Sequence, residues 1–144
     1  QLLWRLKAHQ LPIRRLFGHA QHAMAAADAV LVASGTATLE VALAKRPMVI
    51  SYKISPITYR IVKRKLQLPY VGLPNILCGE FIVPELLQDD ATPENLAQAL
   101  LNAWRDADYR AWLDGKLTEL HHTLKQDSAA RAAQAVLEVV GEGG

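Results

Sequence analysis

Two short, largely apolar runs separated by a helix-length segment constrain the fold of this chain most strongly. Residues 29–33 (AVLVA) and 48–52 (MVISY) have the length and composition of buried strands. Between them, residues 36–44 are predicted to form a helix that Ser34 caps and that ends before Pro47. Strands that alternate with helices at this spacing predict crossover units. We therefore expect an α/β fold, with a Rossmann-like parallel sheet and flanking helices on both faces.

The rest of the chain is predicted to be mainly helical. Further helices are expected over 2–8, 18–28, 55–66, 93–104, 106–125 and 128–140, so that C-terminal helices form a tail at about 106–140. Residues 11–17 (LPIRRLF) are predicted to form a short strand or the entry to one. The prolines, glycine and asparagine within 68–77 favour a structured loop there.

The composition suits one globular domain with a hydrophobic core. Of the 144 residues 51% are hydrophobic, and no stretch reaches the roughly 18 apolar residues of a membrane span. The single cysteine, Cys78, excludes an internal disulfide framework and favours a reducing compartment. No cluster of His, Cys or carboxylates has metal-ligand spacing, so we expect no metal. The chain opens without Met inside an amphipathic pattern, and we expect it to be the C-terminal piece of a longer protein.

Basic residues are concentrated in one region. Residues 41–79 contain no Asp or Glu but seven bases, whereas the remaining sequence holds nine bases and 14 acids. This asymmetry predicts an anionic partner at the basic region. Arg60, Lys63 and Arg64 share one arc of the predicted 55–66 helix. This arc suits contact with anionic lipid headgroups or with a substrate's phosphate at a membrane surface, or it is an ordinary solvated face. Nucleic acid is disfavoured, because few aromatic residues interleave with the bases.

The turn Ser34-Gly35-Thr36 follows the first predicted strand and opens the next helix. Ligands of open parallel sheets bind beyond the carboxyl ends of the strands. Free backbone N–H groups and the helix dipole favour an anion there, typically a phosphate, and Gly35 permits a close approach. The alternative is an ordinary helix cap and tight turn.

Glu40 lies one helical turn after Thr36 and has no evident helical partner. No cation stands three or four residues away, and a capping-box Glu would belong at position 37, which is Ala37. A carboxylate at this position can accept two hydrogen bonds from a ribose diol. The alternatives are that Glu40 simply reaches solvent or pairs with a base elsewhere in the fold. Tyr52 and Lys53 stand at the end of the second predicted strand, and we expect them to line a cleft. For Tyr52 the alternative is a packing role in the core.

The stretch AAADAVLVASGTATLEVALAKRPMVISYKISPITYRIVKR, followed by YVGLPNILCGEFIVPELLQDDATPENLAQALL, resembles the C-terminal domain of lipid-A-disaccharide synthases. The combination of SGTATLE, LPN and PELLQ at these spacings is specific. The resemblance implies the GT-B glycosyltransferase architecture, in which two Rossmann-like domains enclose the active site. It implies that residues 1–144 are a partial C-terminal UDP-sugar-binding domain, without the N-terminal acceptor domain and the start of this domain.

The same resemblance implies roles for individual residues. The nucleotide-binding residues would be Ser34, Gly35, Thr36, Ala37, Glu40 and Asn75, with the turn facing the UDP diphosphate and Glu40 holding the ribose hydroxyls. Glu85 and Gln88, in PELLQ, would lie near the cleft. The catalytic base is expected in the missing N-terminal domain, and no cofactor or metal is implied. This piece alone is expected to be inactive.

The implied reaction joins UDP-2,3-diacylglucosamine to 2,3-diacylglucosamine 1-phosphate, with inversion, and releases the disaccharide 1-phosphate and UDP. The implied partners are these two lipids, an anionic membrane surface and a second copy of the chain that exchanges C-terminal segments. The implied location is the cytoplasmic side, peripheral on the bacterial inner membrane. Two alternatives remain: another UDP-sugar transferase or epimerase of the same architecture, and a non-catalytic basic module at a membrane surface.

Overall fold

The computed structural model describes residues 12–55 and 69–141, with the backbone alone over 127–141. In chain order the elements are α1 (Ala20–Ala26), β1 (Val30–Ala33), α2 (Ala37–Leu43), β2 (Met48–Tyr52), α3 (Leu73–Cys78), β3 (Glu85–Leu87), a 3₁₀ turn (Gln88–Asp90), α4 (Pro93–Arg105) and α5 (Ala107–Gly141).

The three strands form one parallel sheet in the order β1-β2-β3. Val30 is paired with Met48 and Ala33 with Ser51, while Tyr52 is paired with Leu87. The carboxyl ends of all three strands therefore meet at one edge of the sheet. The predicted α/β fold with a parallel sheet and flanking helices is confirmed.

The core lies against the central strand. Met48, Val49 and Ile50 of β2 are fully buried, as a strand covered on both faces requires. The core cluster also includes Val41 of α2 and Leu113 and Leu117 of α5. Burying side chains of this size stabilises the fold by about 1.5–3 kcal/mol each.

The helix signals in the sequence explain where α4 begins. The N–H of Asn95 donates to Thr92 Oγ1 at 3.2 Å, and Pro93 occupies the first turn, where its missing N–H is not needed. The predicted helices over 18–28, 36–44 and 93–104 are confirmed as α1, α2 and α4, with ends that differ by a few residues.

The expected loop over 68–77 is wrong, because its second half begins α3. Pro74 falls in the first turn of this helix, where proline is tolerated, and Gly79 ends it in the left-handed conformation at φ 69°. The two helices expected over 106–125 and 128–140 are one continuous helix, α5. No Pro or Gly interrupts the polar residues between them, so the backbone hydrogen bonds can continue.

Three other expectations concern the amino-terminal part and the basic helix. The described part of LPIRRLF, residues 12–17, contains no strand. The helices expected over 2–8 and 55–66, the second with Arg60, Lys63 and Arg64, lie outside the described residues. Across the ranges that are described, none of the helices combines the length and apolar character needed to cross a bilayer.

Candidate functional site

Among the residues that the structure describes, the turn after β1 leaves three backbone N–H groups without a hydrogen bond. Ser34 continues the ladder, since its N–H donates to Ser51 O at 3.2 Å. Gly35 has φ 141° and is exposed, a conformation that glycine adopts readily. In residues 12–55 and 69–141, no hydrogen bond uses the N–H groups of Gly35, Thr36 or Ala37. These N–H groups lie at the start of α2, at the carboxyl edge of the sheet.

Ser34 does not cap α2, contrary to the sequence expectation. The N-cap position belongs to Thr36, whose side chain makes no capping hydrogen bond. Ser34 Oγ instead donates to Val71 O at 3.4 Å. Thr38 Oγ1 donates to Gly35 O at 2.6 Å, and this bond joins the first turn of α2 to the Ser34-Gly35-Thr36 turn. The Ser34 hydroxyl therefore attaches the turn to the segment before α3.

Glu40 stands on the exposed side of α2. No salt bridge joins it to a base in the described ranges, so the alternative of an ion pair is not observed there. Its carboxylate faces solvent one helical turn after the unused N–H groups. The ribose role of Glu40 stays a prediction.

The other strand ends bring further predicted residues to the same edge. Tyr52 ends β2 half-buried, and Lys53 follows it exposed. Gln88 follows β3, and its Oε1 accepts a hydrogen bond from Ile54 N–H at 2.9 Å. Gln88 has a φ of 52°, a left-handed conformation that is uncommon outside glycine. This bond ties the exits of β2 and β3 together.

A cavity of about 410 Å³ adjoins the end of β3. Glu85, Gln88, Asp89 and Asp90 contribute polar groups to its wall, and Phe81 contributes an aromatic ring. Glu85 and Gln88 thus line an open cavity, and their place near a substrate cleft stays a prediction.

Glu85 and Asn75 form one hydrogen-bonded unit with the segment before α3. Glu85 Oε2 accepts from Val71 N–H at 2.8 Å, and Oε1 accepts from Gly72 N–H at 2.8 Å. Asn75 Nδ2 donates to the same Oε1 at 2.7 Å. Asn75 is fully buried, so its side chain is reached only by protein groups. The expected contact of Asn75 with a nucleotide finds no support in these bonds, because the observed partners of Asn75 are all within the fold.

Sequence reasoning missed the contribution of Val71 and Gly72 to this unit. Both act through backbone N–H groups, which any residue type supplies. The sequence does offer a signal at Gly72, because a glycine between two apolar residues can indicate a close approach of the backbone to other groups. In the structure, a Cβ at Gly72 would collide with Ile50 Cδ1 and lie 2.8 Å from Glu85 Oε1.

Cys78 lies beside this unit and is poorly suited to nucleophilic chemistry. Burial raises the pKa of its thiol, and the nearby Glu80 carboxylate raises it further. No group of three or more His, Cys, Asp or Glu in the described ranges is arranged to hold a metal ion.

Comparison with known proteins gives a consistent result. A family model described as lipid-A-disaccharide synthetase matches residues 2–139. A protein of Chromobacterium violaceum named lipid-A-disaccharide synthase is 67% identical over 139 residues, 96% of this chain and 36% of the relative. Proteins of the same name from Dechloromonas aromatica and Neisseria meningitidis serogroup A are each 55% identical, over 94% and 98% of this chain and 36% and 37% of their own lengths. The chain thus spans about a third of the length of the curated relatives it matches.

Proposed function

This chain belongs to the lipid-A-disaccharide synthase family, and we propose that it is the nucleotide-binding part of an inverting glycosyltransferase of lipid A biosynthesis. The complete enzyme transfers 2,3-diacylglucosamine from UDP-2,3-diacylglucosamine to 2,3-diacylglucosamine 1-phosphate. The products are the tetra-acylated disaccharide 1-phosphate and UDP. The single observation that carries this proposal is the set of unused N–H groups at Gly35, Thr36 and Ala37.

These N–H groups suit the diphosphate of the donor. They lie at the carboxyl edge of a parallel sheet and at the amino end of a helix, where partial positive charge accumulates. During transfer, negative charge develops on the departing UDP, and fixed donors stabilise that charge without reorganising. The turn therefore both binds the donor and assists the departure of UDP.

Glu40 holds the ribose in this proposal. Its exposed carboxylate follows the turn by one helical turn, a rise of about 5.4 Å along the axis. No described base competes for it. Two charge-assisted hydrogen bonds to the ribose diol would fix the uridine side of the donor.

Groups outside this chain complete the reaction. Inversion requires a general base for the acceptor hydroxyl. We assign that base to the part of the relatives that this chain does not span. The reaction as written needs no cofactor, because the diphosphate is the leaving group and the turn supplies its stabilisation.

Arg60, Lys63 and Arg64 serve contact with an anionic membrane surface, on the inner face of the inner membrane. The charge distribution supports this role, since 41–79 contains seven bases and no acid and both substrates carry acyl chains. The length of α5 supports a homodimer in which C-terminal segments are exchanged.

Assays of the full-length protein test the proposal. We expect transfer from UDP-2,3-diacylglucosamine and none from UDP-N-acetylglucosamine or UDP-glucose. Transfer from the non-acylated donors, with none from the acylated one, would favour the second candidate, a related UDP-sugar enzyme. The solvent-facing Glu40 and the unused N–H groups fit that candidate almost as well, whereas the LPN and PELLQ motifs argue against it. Absence of UDP binding would exclude both.

A further inference from the structure

We propose that Glu85 and Asn75 are positioning residues, which hold the Ser34-Gly35-Thr36 turn in its binding geometry through the backbone of Val71 and Gly72. This inference rests on the proposed role of the turn in binding the UDP diphosphate. It gives the LPN and PELLQ motifs a role that involves no contact with the nucleotide.

The hydrogen-bonding capacity of Asn75 is fully used inside the protein. Its Nδ2 donates to Val83 O at 2.9 Å and to Glu85 Oε1 at 2.7 Å. Its Oδ1 accepts from the N–H groups of Ile82 and Val83 at 2.8 and 3.0 Å. An asparagine side chain offers two donors and two acceptor lone pairs, so none is left for a ligand. Asn75 therefore fixes α3 to the chain that enters β3.

The carboxylate of Glu85 gathers three donors in the same way. Val71 N–H reaches one of its oxygens, while Gly72 N–H and Asn75 Nδ2 reach the other. Hydrogen bonds to a charged acceptor are about twice as strong as neutral ones. Gly72 is also the N-cap of α3, so the negative charge lies at the positive end of that helix. Glu85 thereby fixes the backbone of the segment before α3.

The backbone of Val71 carries this restraint to the turn. Its N–H donates to Glu85 Oε2 at 2.8 Å, and its carbonyl accepts a longer hydrogen bond, of 3.4 Å, from Ser34 Oγ. Gly72 is held by the same carboxylate through its N–H, and a Cβ there would collide with Ile50 Cδ1 and Glu85 Oε1. A shift of the Glu85 carboxylate would move Val71, and with it the attachment of Ser34.

The effect on binding is large for a small displacement. Donors aimed in advance at a developing charge cost no reorganisation when the anion arrives. Positioning errors of about 1 Å cost on the order of a hundredfold in catalysed rates, and we expect misaligned donors to cost affinity for the bound anion as well. We therefore expect changes at Glu85 to weaken UDP binding through the turn.

A double-mutant cycle on the full-length protein tests this route. UDP affinity is measured by titration calorimetry for wild type, Glu85→Gln, Ser34→Ala and the double variant, with the melting temperature of each. Glu85→Gln keeps the shape of the side chain but places an N–H group among donors. We expect each single variant to bind UDP about tenfold more weakly, and the double variant to bind no more weakly than Glu85→Gln.

Three results of this cycle would overturn the inference while UDP still binds to wild type. They are unchanged affinity in folded Glu85→Gln, unchanged affinity in Ser34→Ala, and a double variant whose loss is the product of the single losses. The product is expected if Glu85 contacts the nucleotide directly. Wild type that does not bind UDP would overturn the proposed function, and this inference with it.

Tyr109→Phe is the matched control for general destabilisation. It removes the bond from Tyr109 Oη to Ile82 O at 3.0 Å, on the segment that Asn75 also binds, but has no link to the turn. We expect a lower melting temperature and unchanged UDP affinity. A loss of affinity equal to that of Glu85→Gln would overturn the inference.

If Glu85→Gln does not accumulate as folded protein, Asn75→Asp carries the same test, since it places an oxygen against Glu85 Oε1.

Discussion

Asn75 Nδ2 donates a hydrogen bond to Glu85 Oε1 at 2.7 Å, and this contact joins the first residues of α3 to the first residue of β3. The two residues are ten positions apart in the sequence. Their side chains meet because the chain between them turns back, with Ile82 and Val83 held against Asn75 Oδ1. The contact therefore belongs to the scaffold beneath the candidate site.

Glu40→Ala is expected to weaken UDP binding by about ten- to a hundredfold, because hydrogen bonds to a charged group contribute about 1.5–3 kcal/mol. Its effect on the melting temperature is expected to be small, since Glu40 is exposed and has no described ion pair. Titration calorimetry on the full-length protein measures the affinity. Glu119→Ala removes an exposed helical acid from α5 and serves as the control, with unchanged affinity. Equal UDP affinity in Glu40→Ala and wild type would show that the ribose assignment is wrong.

Gly72→Ala and Gly115→Ala are expected to change stability in opposite directions. A Cβ at Gly72 collides with Ile50 Cδ1 and Glu85, so Ala should destabilise the protein by about 1–3 kcal/mol. A Cβ at Gly115, within α5, meets nothing within 4 Å, and Ala should stabilise that helix by about 0.5–1 kcal/mol. Melting temperatures of the two variants measure the contrast. A Gly72→Ala protein as stable as wild type would contradict the close packing at this position.

The sequence was informative where one residue type or one local pattern decides the structure. The contiguous apolar runs of β1 and β2 and the Thr92-Pro93 start of α4 are signals of that kind. Strand β3 has only three half-buried residues and begins with Glu85, so it shows neither alternation nor an apolar run. Pro74 favours a loop when the sequence is considered alone, although the first turn of a helix also accepts proline.

The residues of the candidate site also differ in whether a local sequence pattern or only the tertiary fold determines their contacts. The position of Ser34, Gly35 and Thr36 at a strand end followed from the order of the elements. The partners of Glu85 could not be predicted, because they include backbone N–H groups 13 and 14 residues away. Only the tertiary fold decides which backbone groups face a carboxylate. For that reason Glu85 could be placed only near a cleft.

Neutralising Arg60, Lys63 and Arg64 to Gln is expected to weaken binding to anionic vesicles. Each base near such a surface contributes about 1 kcal/mol, so the loss of three corresponds to roughly a hundredfold in partitioning. Sedimentation with vesicles of phosphatidylglycerol and phosphatidylethanolamine at constant salt measures it. The control replaces Arg105, Arg110 and Lys125 with Gln, which removes the same charge elsewhere. Equal pelleting of the first variant and wild type would exclude these bases as the membrane contact.

Tyr109 is expected to make stability depend on pH in the alkaline range. Burial raises the pKa of its phenol to about 12, and the Asp106 carboxylate adds to the effect. The folded pKa lies above the unfolded value of about 10. The contribution of the neutral phenol to the free energy of unfolding is therefore complete below pH ~10 and is lost as the pH rises towards about 12.

Tyr109→Phe lacks the bond to Ile82 O and should be about 1 kcal/mol less stable at neutral pH. The difference in melting temperature between wild type and Tyr109→Phe should therefore narrow from about pH 10 upward, towards pH 12, whereas other titrating groups cancel in this comparison. A difference that stays constant over that range would show that the phenol titrates alike in the folded and unfolded protein.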